Sequence, residues 1–112
     1  MSADSNSELA AAFDLAHLDR QTMGDVALRR EVLSLLYHRL AENARQLRTA
    51  GAKERADVAH AIRGSARGTG ANRLASAAQA VEMAPTEDMP LRVLLDRIDE
   101  VRAVLANALR PG

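Results

Sequence analysis

The 112-residue chain contains no cysteine and no tryptophan, and its only aromatic residues are Phe13 and Tyr37. Without cysteine there is no disulfide, no thiolate nucleophile and no cysteine-based zinc site. With two aromatic rings, the core has to be assembled from Leu, Ile, Val and Ala in close helix-to-helix contact, which favours an all-α protein. Net charge is missing as well: fifteen Lys and Arg balance fifteen Asp and Glu. No overall field draws the chain to a polyanion, so nucleic acid is not an expected partner. No apolar run approaches the roughly 20 residues of a spanning helix, and no membrane partner is expected. Residues Met1–Glu8 are polar, with neither the basic start nor the apolar stretch of a signal segment, so a cytoplasmic location is expected. The chain also lacks a Gly-rich GK[ST] loop, a kinase signature and an acidic cluster arranged for Mg²⁺.

What the sequence does contain is helical periodicity in a length that suits one domain. Residues 1–8 are aperiodic and rich in Ser, Asp and Asn, and read as a disordered tail; residues 9–112 form the folded domain. Leu9, Phe13, Leu15 and Leu18 suggest a short first helix ended by Thr22-Met23-Gly24. Asp25 can cap a long helix in which Leu28, Val32, Leu35, Leu36, Leu40 and Leu47 share one face. A third segment runs from about Lys53 to Gly68, and Gly68-Thr69-Gly70 breaks it from a helix over about Asn72–Ala84 that buries Leu74, Ala77, Ala78 and Val81. Pro85 stops that helix. Pro90 suits the first turn of the last one, whose Leu91, Leu94, Leu95, Ile98, Val101 and Leu105 form a stripe. Four amphipathic helices with short connections are expected to pack as an antiparallel up-down-up-down bundle, with the short N-terminal helix against it.

The chemistry concentrates in the third helix. At about 100° per residue, Val58, Ile62, Ala66 and Thr69 cluster on the buried side, and His60 lies about 160° from their mean direction. Ala56, Arg63, Gly64 and Arg67 share its outward face, with Lys53 one turn back; Arg55 falls nearer the buried side and fits this wheel poorly. Glycine inside a helix costs about 1 kcal/mol relative to alanine, and Gly64, at i+4 from His60, removes the side chain that would stand beside the imidazole. A partner surface could then approach the ring. A neutral imidazole is a nucleophile toward phosphorus, and Arg63 at i+3 is placed to answer the charge of a phosphoryl group, with Arg67 at longer range. The bland alternatives are tight packing or mere tolerance for Gly64, and a solvated basic face for the arginines. His17 and His38 have no comparable setting, and no His pair at i, i+4 supports metal binding.

These residues resemble the histidine-containing phosphotransfer (HPt) domain, whose signature is His, Lys or Arg at +3, Gly at +4, often Ser at +5, and Gly-Ala at +10 and +11. Here these are His60, Arg63, Gly64, Ser65, Gly70 and Ala71. The likeness extends over residues 13–108: Leu18–Leu40 looks like the family's first turn and second helix, and Leu74–Glu82 like the helix after the motif. Lysine is commoner in the family where this chain has Arg63, which keeps the charge but changes its shape and hydration. The resemblance implies a phosphorelay intermediate of two-component signalling. His60 would accept a phosphoryl group from the phospho-aspartate of one receiver domain, on a response regulator or hybrid sensor kinase, and pass it to another. No cofactor of its own is implied, Mg²⁺ belonging to the receiver. Lys53, Ala56, Arg67 and Arg73 would meet the receiver, and a monomer is expected. Alternatives are a helical adaptor that never carries phosphate, a phosphoacceptor module of a chemotaxis-type or hybrid kinase, and a degenerate member that binds receivers without turnover. The chain's ends and the lack of an adjoining domain point to a free-standing protein.

Overall fold

In the computed structural model, which describes residues 3–111, Asp25 accepts a hydrogen bond from the Leu28 backbone N–H at 3.0 Å and so starts the longest helix. Six helices follow one another among the described residues, with no strand: α1 (Ala3–Ala12), α2 (Leu15–Gln21), α3 (Val26–Thr49), α4 (Ala52–Thr69), α5 (Asn72–Met83) and α6 (Asp88–Ala108). The fold is all-α, as the composition requires.

α5 and α6 match the periodicity closely. α5 buries Leu74, Ala77, Ala78 and Val81, together with Ala75, and α6 buries Leu94, Ile98, Val101 and Leu105. Pro90 sits in the first turn of α6, where its missing N–H costs nothing. α3 packs against α4 and α6, and α5 packs against α4 and α6, which closes a ring around one core. α1 lies on α6, and α2 on α4.

Three expectations need correction. The segment Ala3–Glu8 belongs to α1 rather than to an aperiodic tail. Leu9 and Phe13 bury almost completely, and Glu8 accepts a 3.2 Å hydrogen bond from the Asn107 side chain, so tertiary anchoring extends the helix through polar residues. Met1 and Ser2 lie outside the described residues. Next, the single short N-terminal helix is two helices, because Asp14 leaves helical geometry and caps α2 by accepting from the His17 N–H. Last, Leu35 is 53% exposed, while Leu33 and Ala44 are buried. α3 faces α4 on one side and α6 on the other, so its buried stripe is broader than one heptad face and Leu35 falls on its rim.

The α4–α5 connection is two residues, Gly70 and Ala71. Gly70 adopts φ +82° and ends α4, with the Ala71 N–H bonded to the Ala66 carbonyl at 2.8 Å, a left-handed cap that glycine favours. The Gly70 carbonyl in turn accepts the Asp14 N–H at 2.8 Å, which fastens the α1–α2 break onto this turn.

Candidate functional site

α4 buries Ala59, Ile62, Ala66 and Thr69, and half-buries Val58. That register turns His60 outward, with 69% of its side chain exposed. Gly64 and Gly68, one and two turns further along, have open space where a Cβ would stand. The clearance expected beside the imidazole is therefore present, and no neighbouring element fills it.

The ring is held from α5. Nδ1 of His60 lies 3.0 Å from Oε2 of Glu82 and 3.0 Å from Nη2 of Arg63. Arg63 and Glu82 pair with each other: Nη2 is 3.4 Å from Oε2, and Nε is 2.6 Å from Oε1 in an ion pair that lies off the N–H axis. Both charged groups are sheltered, Arg63 at 24% and Glu82 at 20% side-chain exposure, so their attraction is screened less than that of a surface pair. One nitrogen cannot serve both neighbours. If Nδ1 carries the proton it donates to the carboxylate, and Nε2 keeps a lone pair; if Nδ1 is bare it accepts from the guanidinium, and Nε2 carries the proton. The first tautomer is the nucleophilic one at the exposed nitrogen.

Glu82 is the site residue that sequence reasoning missed. It stands 22 positions from His60, and only the packing of α5 along α4 brings the two together. Its sequence signal was its place beside the buried Val81 at the end of α5, in the stretch that resembles the family.

The other proposed contact residues are scattered. Arg67 is exposed and reaches Gln79 on α5 at 3.5 Å. Lys53 is 90% exposed and hydrogen-bonds Asp57 at 2.9 Å, a contact that raises its pKa and leaves its charge already answered. Ala56 is half-buried rather than outward. Arg73 is not brought to His60 at all: it lines a cavity of about 220 Å³ between α1, α5 and α6, beside Glu8 and Arg97. Arg55, the misfit on the wheel, sends Nη1 to the Pro85 carbonyl at 2.9 Å and ties α4 to the α5–α6 connection. His17 also has a structural contact, its Nε2 lying 3.2 Å from the Gly68 carbonyl. Among the described residues no cluster of three or more His, Asp or Glu could hold a metal ion, and no helix is long and apolar enough to cross a membrane. Compared with protein-family models, curated proteins and solved structures, the chain matches none.

Proposed function

We propose that this chain is a histidine phosphotransfer protein of the HPt type. In this reading α3–α6 form an antiparallel up-down-up-down four-helix bundle, and the protein works in the cytoplasm as an intermediate between receiver domains. The observation that carries the reading is the His60–Glu82–Arg63 cluster: an exposed imidazole with Nδ1 occupied, beside a backbone stripped of side chains at Gly64.

The geometry supports a specific course for the transfer. Nδ1–H donates to Glu82, so the exposed Nε2 presents its lone pair to the phosphorus of a receiver's aspartyl phosphate. The N–P bond forms as the P–O bond to the aspartate breaks, and the carboxylate departs with that electron pair. No proton has to move. The ring becomes cationic as the bond forms, and the Glu82 carboxylate, already placed, stabilises that charge. Arg63, whose Nη2 lies 3.0 Å from Nδ1, would have to give up part of its hold on Glu82 and swing past the ring to meet the phosphoryl oxygens on Nε2. Transfer to a second receiver is the same step reversed, so positioning across the interface does most of the work.

Two variants probe the parts separately. Glu82→Ala is expected to slow phosphotransfer about 10- to 100-fold, the usual effect of losing a group that orients a reactive histidine, with Glu82→Gln recovering part of the rate. Stopped-flow transfer kinetics would show it, and equal rates for all three proteins would remove Glu82 from the mechanism. Gly64→Leu is expected to raise the unfolding free energy by about 0.5–1 kcal/mol, because it replaces an exposed helical glycine, while slowing transfer through lost clearance. Denaturant unfolding and transfer rates on the same samples would test both halves; normal transfer by Gly64→Leu contradicts the clearance argument.

The reading as a whole is tested by incubating the protein with a phosphorylated receiver domain and examining the label acquired. A P–N bond breaks when its nitrogen is protonated, whereas an acyl phosphate is cleaved by base. Label that is acid-labile and base-stable is expected. No label, or only base-labile label, contradicts the proposal.

A further inference from the structure

Resting on the phosphotransfer reading, we infer that Arg55 is a positioning residue: from the first turn of α4 it fixes the end of α5, and through it the placement of Glu82 on Nδ1 of His60. Nη1 of Arg55 donates to the Pro85 carbonyl at 2.9 Å, three residues beyond Glu82.

The C-terminal end of α5 has little of its own to hold it. The last carbonyls of a helix need donors from outside the regular ladder, commonly the N–H just past the cap, often that of a left-handed glycine, or a basic side chain in the last turn. α5 has none of these. Its cap is Ala84 at φ −143°, the next residue is Pro85, which has no N–H, and no basic residue stands in its last turn. The Ala84 N–H is shared at 3.2 Å between the Ala80 and Val81 carbonyls. Helix ends fray, and Glu82 is the penultimate residue of this one.

Arg55 supplies the anchor from the neighbouring helix. Arg67 meets Gln79, Arg63 meets Glu82 and Arg55 meets Pro85, so the α4 numbers fall as the α5 numbers rise and the contacts form an antiparallel ladder. The Gly70-Ala71 turn closes the ladder at one end and Arg55 closes it at the other, with His60 and Glu82 between them. Arg55 is half-buried, and its Nε is buried without a hydrogen-bond partner, an arrangement that costs free energy. What the position provides in return is the reach of Nη1 to α5. The placement matters because Nδ1 has two suitors: Oε2 of Glu82 and Nη2 of Arg63 both lie 3.0 Å from it. A displacement of Glu82 by about 1 Å would break its bond, leave Nδ1 accepting from Arg63, and put the ring proton on Nε2, the nitrogen that has to stay bare.

The test compares wild-type protein with Arg55→Met, which keeps an apolar stem and removes the donor, Arg55→Lys, which keeps a donor, Glu82→Ala, and the Arg55→Met, Glu82→Ala double variant. Nitrogen-15 NMR shifts of the His60 ring report the tautomer with no phosphoryl donor present. Transfer rates are then measured from receiver domains charged with acetyl phosphate and Mg²⁺, and labelling rates with phosphoramidate, a small donor that needs no docking. Arg55→Met should shift the ring proton toward Nε2 and slow both reactions about tenfold, with Arg55→Lys recovering most of the loss. In the Glu82→Ala background Arg55→Met should cost nothing further, as expected of a residue that acts through another. Arg55 is half-buried in the first turn of α4, so the Arg55 variants are expected to keep wild-type helicity by circular dichroism. A wild-type tautomer and wild-type rates in Arg55→Met, whatever its stability in urea, make Arg55 a structural tie alone and overturn the inference. An undiminished loss in the Glu82→Ala background overturns it as well. Failure of phosphoramidate and every receiver to label wild-type His60 overturns the phosphotransfer reading instead, while the tautomer shift still decides whether Arg55 places Glu82.

Discussion

Replacing His60 with Gln is expected to abolish phosphoryl acceptance completely while leaving the fold as it is. The two halves of that result have separate causes. The side chain is 69% exposed and contributes no core packing, so its loss falls among the surface substitutions that change stability by about 0.5 kcal/mol or less. A Gln amide can still donate to Glu82 and keep the Arg63–Glu82 pair in place. What it cannot do is supply a lone pair of imidazole basicity, because the amide nitrogen's electrons are delocalised into its carbonyl. Label from a phosphorylated receiver and label from phosphoramidate should both vanish, with an unchanged thermal midpoint. Acid-labile label retained by the variant would place the acceptor elsewhere, with His17 and His38 as the remaining histidines.

Gly70→Ala should give the largest loss of stability of any single methyl addition in the chain. Gly70 holds φ +82°, in the left-handed region where an L side chain costs about 1–2 kcal/mol. A Cβ built there stands 2.9 Å from the Asp14 carbonyl oxygen and 3.3 Å from the Asp14 Cβ and backbone nitrogen. The obstruction is mostly backbone, so no side-chain rotation relieves it. Relief would separate the α1–α2 break from the α4–α5 turn and stretch the Asp14 N–H bond to the Gly70 carbonyl. Adding an overpacking cost of about 1–3 kcal/mol gives a total of about 3 kcal/mol, readable as a lowered midpoint in urea unfolding. Gly64→Ala is the matched comparison, since the same methyl there meets open space and should stabilise. Similar midpoints for the two variants would contradict this account of the turn. The pair also separates the motif's glycines by purpose: Gly64 leaves room outside the protein, and Gly70 makes a close approach inside it.

The parts of the molecule legible in sequence are those governed by local chemistry. Asp25 caps α3 as its position suggests, Pro85 lies just past the end of α5 and Pro90 in the first turn of α6, and Leu94, Ile98, Val101 and Leu105 of the α6 stripe are buried, with Leu91 and Leu95 half-buried. The outward direction of His60 follows from the register of Ile62, Ala66 and Thr69 alone. The rest depends on what packs against what. Asp14 breaks the N-terminal helix because its backbone N–H finds the Gly70 carbonyl, a partner 56 residues away in the chain, which no local pattern displays. Leu35 reads as core on a helical wheel, yet the groove between α3 and α4 leaves it at the surface. Glu82 joins His60 through helix pairing, and Arg73, one of the chain's cations, is carried to a different groove.

The central claim is that Nδ1 of His60 is committed to Glu82 and that Nε2 receives the phosphoryl group. The most direct measurement is nitrogen-15 and phosphorus-31 NMR of the phosphorylated protein with labelled histidine, reading the phosphorus coupling at each ring nitrogen. The account predicts a single phosphohistidine, at residue 60, with phosphorus on Nε2 and a proton on Nδ1. Phosphorus on Nδ1, or on any residue other than His60, would contradict it.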